Sequence, residues 1–428
     1  MSILIAFLVF GFLILTHELG HFLLAKKAGI GVIEFSIGMG PRIVSKQIGE
    51  TKYSLKWIPF GGSCMMVGED AESDSPDAFN KKSVWARILV VAAGPLFNFL
   101  FAFLLALVVI AIAGANPAKI YQVQSGYGAD QAGLQPGDVI QEINGKSISL
   151  GRDIDLYFLN HPMDGSKIAV TYERGGKEYT VQLDPNYTAY RMGISYYATA
   201  DRPAFSEVTE NSPAAEAGIE AGDVVVSING TAVATGEEMA AYLAENPIDG
   251  TPLKLVLERD GKQREVSLTP EKYEGTTLGL KASDYREKAG VLGVLKGGVQ
   301  EVRYWVSFCL TSLKMLVTGQ AGIKDMSGPV GIVSLIDTTV EQSRSDGALY
   351  VFLNVVNLAI LLSANLGVFN LLPIPALDGG RLVFLVIEAL RGKPVPPDKE
   401  GMVHTVGFVL LMLLMVVVLY NDIARLFG

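Results

Sequence analysis

Residues Ser2 to Ala25 read SILIAFLVFGFLILTHELGHFLLA, an apolar run with one short polar segment near its end. A helix rises about 1.5 Å per residue, so a run of this length crosses the roughly 30 Å hydrocarbon core of a bilayer. A cleaved secretion signal is the alternative, but no basic residue precedes the run and no small-residue cleavage site ends it. The stretch therefore predicts a membrane-spanning helix.

The polar segment within this run is THELGH, which has the pattern H-E-x-x-H. On a helix, His17 and His21 lie one turn apart on the same face, so both imidazoles can reach one Zn²⁺ ion. Glu18 lies beside them and can take the proton of an attacking water molecule. Helix packing by two buried imidazoles is the alternative, but polar groups inside a span are costly and usually functional. The segment therefore indicates a catalytic zinc site.

Three further apolar runs follow, one near residue 100 and two in the last quarter of the chain. They extend from about Ile88 to Ala113, from Tyr350 to Leu372 and from Val403 to Tyr420, so we expect four spans. The stretch from Val299 to Gly319 is amphipathic and interrupted by charges, which favours an interfacial helix over a fifth span.

Composition supports a membrane protein with one acidic block. Of 428 residues, 50% are hydrophobic and only 18% are charged, against about 25% in soluble proteins. The net charge of −9 arises between Ala115 and Gln300, where 26 acidic residues face 17 basic ones. The basic surface of a nucleic-acid binder is missing, and two cysteines cannot form a disulfide framework.

Basic residues in the short loops predict the orientation of the spans. Nine lysines and arginines follow the first span, and Arg391, Lys393 and Lys399 follow the third. Both loops should be cytoplasmic, which places both termini and the acidic central block outside.

The loop after the first span contains two β-rich runs, IEFSIGMGPRIV and TKYSLKWIPFGG, joined around Gly49-Glu50. This pattern predicts a β-hairpin. The hairpin is too apolar for a free surface, so we expect it to dip into the membrane face, buried in protein or lining a wet cavity.

The central block contains an internal repeat with an offset of 85 residues. ADQAGLQPGDVIQEINGKSI, from Ala129, matches AAEAGIEAGDVVVSINGTAV, from Ala214, and the match continues without a gap over 55 positions. Two tandem domains of one fold follow. Each resembles the PDZ domain in its bacterial, circularly permuted form.

A catalytic zinc needs three protein ligands and one open position. His161, His404 and Asp378 are candidates for the third ligand by residue type. His161 lies in the first repeat and His404 at the entry of the fourth span. Asp378 follows a Pro-Ile-Pro break at the cytoplasmic end of the third span, at the depth of the two histidines, which favours Asp378. An aspartate that only caps the following helix is the alternative.

Four motifs together resemble the site-2 protease family of intramembrane zinc metalloproteases. They are HELGH in the first span, GPLFN opening the second, SGPVGI before the third and NLLPIPALDGG ending it. With two PDZ-like domains, the chain resembles the bacterial regulator of sigma-E protease type. The resemblance implies Zn²⁺ bound by His17, His21 and Asp378, with Glu18 as the general base.

The resemblance also implies a substrate-receiving surface. Asn365, Pro373 and Pro375 would help to receive the substrate backbone, and the hairpin from Gly38 to Gly62 resembles a membrane re-entrant β-loop that presents an edge strand. Cleavage inside a membrane requires unwinding the substrate helix and satisfying its freed backbone groups, which an edge strand does by strand addition. Hydrogen bonding between helices is the alternative for Asn365.

The PDZ-like domains allow two interpretations. The first is capture of a free C-terminus in a backbone nest, for which the loop Arg191-Met192-Gly193-Ile194 makes Gly193 a candidate binding residue. The second is a size filter that excludes substrates with bulky outer domains. We favour the filter, because it explains two domains in tandem.

We therefore expect a polytopic α-helical membrane protein with four transmembrane helices, a re-entrant β-hairpin and two tandem PDZ-like α+β domains. The expected divisions are 1–114 with the first two spans and the hairpin, 115–198 and 199–290 with the PDZ-like domains, and 291–428 with the amphipathic helix and the last two spans.

The expected function is that of an intramembrane zinc metalloprotease in a bacterial plasma membrane. Its expected partners are membrane lipid and single-span membrane proteins that a first protease has trimmed, with anti-sigma factors and remnant signal peptides as substrate classes. No nucleic-acid partner is expected. A non-proteolytic membrane adaptor that uses its PDZ-like domains to hold partners is the alternative.

Overall fold

The structure is a computed structural model that describes residues 2–69 and 73–427. Within these ranges the helices, in chain order, are α1 (Ser2–Lys27), α2 (Val84–Ala113), α3 (Gly128–Gln131), α4 (Gly151–Asn160), α5 (Pro213–Glu216), α6 (Gly236–Glu245), α7 (Val291–Val317), α8 (Pro329–Ser343), α9 (Ala348–Leu371), α10 (Asp378–Arg391) and α11 (Pro397–Phe427). The strands are β1 (Val32–Ile48), β2 (Thr51–Met66), β3 (Gln122–Val123), β4 (Val139–Ile143), β5 (Lys146–Ser147), β6 (Ile168–Arg174), β7 (Lys177–Leu183), β8 (Asn186–Arg191), β9 (Ile194–Tyr196), β10 (Phe205–Val208), β11 (Val224–Ile228), β12 (Thr231–Ala232), β13 (Leu253–Arg259), β14 (Lys262–Leu268), β15 (Glu271–Thr276) and β16 (Leu280–Lys281).

Among the described helices, four are long and apolar enough to cross a membrane. They are Ile3–Lys27, Val84–Ala113, Ala348–Leu371 and Asp398–Arg425, and they confirm the four predicted spans. The helix α7, predicted as amphipathic, is not one of these four and packs along α2 and α9.

The chain forms two compact units. The first comprises residues 1–118, 149–160 and 283–428, and it holds the four spans and the first β-hairpin. The second comprises residues 119–148 and 161–282 and holds most of both repeats.

In the first unit, small residues allow α1 and α2 to pack closely. A Cβ added at Gly20 of α1 would lie 2.8 Å from the carbonyl carbon of Ala93 in α2, so only glycine fits there. Close backbone approach at small residues is how helices associate in membranes, where the hydrophobic effect does not drive them together. The contact brings the polar segment of α1 against the middle of α2.

The predicted hairpin forms from β1 and β2, which close at the pair Ile48 and Thr51 around Gly49-Glu50. Residues 34–37 of β1 pair with residues 62–65 on one side and with residues 52–55 on the other. In the described part of the chain, the last segment of β2 has pairing partners on one side only, so it is an edge strand. The entry of this hairpin into the membrane stays a prediction.

A buried carboxylate joins α11 to α8. Asp422 is only 3% exposed and accepts hydrogen bonds from the backbone N–H groups of Gly328 at 3.1 Å and Gly331 at 2.8 Å. These groups belong to the SGPVGI motif and are otherwise free at the start of a helix. Asp422 therefore caps α8 from the last span.

The helix α4 belongs by sequence to the first repeat but lies in the first unit, packed on α7. Arg152 pairs with the buried Glu301, and Asp153 pairs with Arg303. The Arg152 guanidinium also lies 4.3 Å from the centre of the Tyr304 ring. Two ion pairs, in which each helix supplies one acid and one base, and a cation–π contact therefore hold α4 on α7.

In the second unit, the two repeats build equivalent sheets. The strand orders β5-β4-β6-β7 and β12-β11-β13-β14 are the same, as the sequence match predicts. Both repeats are α+β units with matching element order. Their assignment to the PDZ fold stays a prediction.

A buried aspartate and its arginine recur in both repeats. Arg174 donates a bidentate pair of hydrogen bonds to the carboxylate of Asp138, and Arg259 donates an equivalent pair to Asp223. In the second repeat Arg264 adds a further bond at 2.9 Å. The hydrogen bonds from Arg259 lower the pKa of Asp223 to about 2 despite its burial, so this carboxylate stays charged and paired.

Strand pairing connects segments on both sides of the predicted domain boundaries, and the divisions themselves stay predictions. The strand β9 pairs with β10, so the predicted boundary between residues 198 and 199 falls in the loop between two paired strands. The strands β15 and β16, which the expected divisions place in the second domain, pair with β8 and β3 of the first. The gapless match begins after β3 and β10, so it carried no information on these pairings.

Candidate active site

The helix α1 presents the two histidines of the H-E-x-x-H segment to one point. The Nε2 atoms of His17 and His21 lie 3.3 Å apart, and the two rings are nearly perpendicular at 84°. His21 is 8% exposed. Its Nδ1 lies 2.9 Å from the carbonyl oxygen of Val90. Because a carbonyl can only accept, Nδ1 carries the proton and Nε2 keeps its lone pair free.

Asp378, the first residue of α10, completes a group of three potential ligands. Its Oδ2 atom lies 3.2 Å from Nε2 of His17 and 3.4 Å from Nε2 of His21. Two ligands at about 2.0–2.1 Å from a tetrahedral Zn²⁺ are themselves about 3.3 Å apart. Oδ2 is also buried and has no hydrogen-bond donor among the described residues. Three converging electron-pair donors of this kind fit a zinc ion.

The path of the chain before α10 explains how Asp378 reaches the histidines. Ala376 adopts a left-handed conformation with φ of 76°, and its N–H donates to Nδ1 of His404 at 2.8 Å. A Cβ at Gly379 would lie 2.5 Å from the carbonyl carbon of Leu371, so the loop folds tightly back on the end of α9. His404 therefore supports this loop and is not one of the three converging side chains.

The edge strand of the hairpin passes beside Glu18. A Cβ added at Gly62 would lie 2.9 Å from Cγ of Glu18 and 3.1 Å from the carbonyl oxygen of Ser36. The Glu18 carboxylate lies near the backbone of Cys64, on the same edge segment. The site therefore has a carboxylate between the histidines and an open strand edge.

A cavity of about 990 Å³ lies beside Asp378. Its wall carries the ion pairs Arg381–Glu69 and Arg87–Glu388. Asp378 is part of its lining, so the cavity borders one of the three converging side chains.

The other residues singled out from the sequence lie in different settings. Asn365 lies in α9, and its amide oxygen is buried without a partner in the described ranges. Pro375 packs on Gly407 of α11, and Pro373 lies in the same loop before α10. Gly193 has φ of 80° before β9 in the second unit. His161 also lies in the second unit and is not part of the group of three.

Two residues of α2 that touch the histidines were not predicted as functional. A Cβ at Gly94 would lie 2.6 Å from Cε1 of His21 and 2.7 Å from Cε1 of His17. The amide of Asn98 lies 3.1 Å from Nδ1 of His17. Both belong to the GPLFN motif, and its part in the family resemblance was the signal that could have found them. Spacing along the chain does not reveal which helices touch.

Known proteins that resemble this chain do so over nearly its full length. A model of peptidase family M50 matches residues 5–414. The chain is 35% identical to the zinc metalloprotease RasP of Geobacillus kaustophilus, over 100% of this chain and 98% of the relative. It is 33% identical to a putative zinc metalloprotease of Clostridium acetobutylicum, over 99% and 97%. It is also 33% identical to the regulator of sigma-W protease RasP of Bacillus subtilis, over 99% and 98%.

These relatives are similar along essentially their whole length, and the family model covers the first three spans almost completely, part of the fourth, the hairpin and Asp378. The chain therefore belongs to peptidase family M50, and it is a membrane-embedded zinc metalloprotease.

Proposed function

We propose that this protein cleaves single-span membrane proteins within the bilayer, with zinc held by His17, His21 and Asp378. The observation that carries the proposal is the spacing of 3.2 to 3.4 Å among three ligand atoms, two of them on a helix apolar enough to span a membrane. A non-proteolytic adaptor would have no use for this arrangement.

The roles of the protein groups follow from their positions. Zinc at this site would supply a Lewis acid that polarises the scissile carbonyl and makes water a stronger nucleophile. Glu18 takes the proton of the attacking water on its carboxylate and returns it to the amine that leaves. The hydrogen bond from Nδ1 of His21 to Val90 fixes the ring and leaves the Nε2 lone pair free, so that it would bind a metal.

Substrate binding follows from the open edge of β2. A substrate helix must unwind before cleavage, and its freed N–H and C=O groups need partners in a medium without water. The edge segment around Gly62 to Cys64 offers backbone groups beside Glu18, so the unwound stretch would add to it as a strand. The unpartnered amide oxygen of Asn365 is a candidate acceptor for one more substrate N–H.

The family resemblance suggests the substrates, and the charge of the short loops suggests the orientation in the membrane. The motifs resemble the sigma-E regulator type, and one relative is named as a regulator of sigma-W protease. We therefore propose membrane-bound anti-sigma factors, and secondarily remnant signal peptides, as substrates. Basic residues in two short loops support a topology in which the termini and the repeats lie outside and the active site lies toward the cytoplasm.

Replacing Asp378 by asparagine should lower the zinc content of the purified protein and its cleavage of a single-span substrate together. A neutral amide oxygen replaces a charged ligand, and a changed ligand costs at least about 10- to 100-fold in metal affinity. Elemental analysis after dialysis against a weak chelator measures the first effect. Full zinc occupancy with unchanged cleavage would contradict the assignment of Asp378 as the third ligand.

We also propose that the tandem repeats act as a size filter for substrates, with capture of a C-terminus near Gly193 as the alternative. Arg191 at the end of β8 pairs with Glu271 at the start of β15, so the second repeat between them can be deleted without separating these two strands. Residues 192–270 can be replaced by Asn-Gly, a turn that closes β8 and β15 as a hairpin and leaves β16 in place.

This excision should allow cleavage of a substrate that keeps its large outer domain, while cleavage of the trimmed substrate stays at the wild-type rate. A capture module predicts the opposite: slower cleavage of the trimmed substrate and no gain with the untrimmed one. Parallel assays on both substrates measure the difference, and equal zinc content in both proteins is the control for an intact catalytic centre.

A further inference from the structure

Asn98 of α2 is fully buried next to a proposed zinc ligand. Its side-chain amide lies 3.1 Å from Nδ1 of His17, and its exposed fraction is 0%. One end of this amide faces the imidazole, and the amide oxygen has no hydrogen-bond partner among the described residues. A buried amide with an unpaired end is uncommon, since buried polar side chains are normally hydrogen-bonded.

The protonation of His17 decides which end of the amide faces it. The Nε2 atom of His17 lies close to Asp378 and to His21, so Nε2 is the atom through which His17 would bind a metal. A neutral imidazole has one N–H, which must then be on Nδ1, and that N–H needs an acceptor. Rotating the terminal amide group of Asn98 by 180° exchanges its oxygen and nitrogen at no steric cost, and it presents the oxygen to Nδ1.

We propose that Asn98 is a positioning residue for the metal: its amide oxygen accepts the Nδ1–H of His17 and fixes the ring with Nε2 toward the zinc ion. Val90 performs the same task for His21 through its backbone carbonyl. The two histidines are thus oriented by two acceptors on one helix, two turns apart. This inference rests on the proposed zinc site.

The backbone around Asn98 is itself held in place. The hydroxyl of Ser363 in α9 donates to the carbonyl oxygen of Asn98 at 2.7 Å, and both groups are buried. This bond ties the middle of α2 to α9 and limits the movement of the Asn98 side chain. Such outer partners of a ligating histidine typically contribute about 10- to 100-fold in metal affinity.

The experiment is a chelator titration of the purified full-length protein, which measures the zinc dissociation constant independently of proteolysis. Asn98→Leu removes the acceptor at similar volume, and Asn98→Asp keeps an acceptor at the same place. We expect the leucine variant to bind zinc about 10- to 100-fold more weakly and the aspartate variant to stay within a few fold of wild type. Asn370→Leu is the matched control, because the Asn370 amide donates only to Leu366 of its own helix in the described structure and should leave zinc binding unchanged.

The outcomes distinguish an Asn98 side chain that accepts a hydrogen bond from one that only fills space. If Asn98 only fills space, leucine keeps the zinc and the buried charge of aspartate harms the fold; this result would overturn the inference. If the amide donates to His17, aspartate weakens zinc binding as much as leucine does, which would also overturn it. Should Asn98→Leu fail to fold, Asn98→Ala gives the same test of a lost acceptor.

His17→Ala distinguishes this inference from the site on which it rests. Loss of zinc in His17→Ala with tight binding in Asn98→Leu refutes the role of Asn98 alone. Tight binding in His17→Ala refutes the site itself.

Discussion

Cleavage of a single-span substrate should fall by at least about 10²- to 10⁴-fold when Glu18 is replaced by glutamine, because general-base catalysis contributes that much. Glutamine has the same shape but cannot take the proton of the attacking water. The ligand atoms of His17, His21 and Asp378 are untouched, so zinc content should equal that of the wild type. Peptide-bond cleavage in detergent and elemental analysis of the same sample measure the two quantities.

Glu341→Gln provides a matched control for this substitution. Glu341 is exposed and pairs with Arg344 on the surface of the α8 region, so its loss should not change cleavage. A glutamine variant at position 18 that cleaves at nearly the wild-type rate would contradict the assignment of Glu18 as the base. A variant that loses its zinc as well would mean that Glu18 supports the metal site and not only the proton transfer.

The replacement of Gly94 by alanine should remove zinc and activity together. The new methyl group would lie 2.6 Å from Cε1 of His21 and 2.7 Å from Cε1 of His17, well inside van der Waals contact. One or both rings must move, and the spacing of the ligand atoms is then lost. Alanine should otherwise favour the helix by about 1 kcal/mol, so a loss of zinc cannot come from backbone effects.

Gly11→Ala is the control, because a Cβ at Gly11 of α1 meets nothing within 4 Å in the described structure. It should keep zinc and cleavage and gain only helix stability. Zinc content, cleavage and the thermal midpoint of all three proteins would be compared. If Gly94→Ala binds zinc normally, the rings of His17 and His21 do not lie against α2 as described.

The elements with strong local patterns were predictable. The four spans follow from apolar runs of sufficient length, and the first hairpin follows from two β-rich runs around Gly49-Glu50, because both depend on residues close in sequence. The 85-residue offset predicted two units of one fold, and their sheets have the same strand order. The H-E-x-x-H spacing made His17 and His21 neighbours, since helix periodicity alone puts them on one face.

Features that depend on contacts between distant segments were not predictable. The strands β15 and β16 follow the second repeat in the sequence but pair with strands next to the first repeat. The helix α4 belongs to the first repeat by sequence but packs on α7. Strand pairing and helix docking depend on which faces meet in three dimensions, and a repeat match carries no information on either. The expected domain divisions therefore followed the repeat and not the pairing.

By itself, the sequence determined that this protein spans the membrane, and it predicted His17 and His21 as zinc ligands with Asp378 as the favoured third ligand. Periodicity, hydrophobic length and residue chemistry are local properties, and they suffice for these conclusions. Only the tertiary structure decided that Gly94 makes room for both imidazoles, that Asn98 faces His17 and that an open strand edge passes beside Glu18. These depend on a close approach of α1, α2 and β2, which is set by packing between segments tens of residues apart.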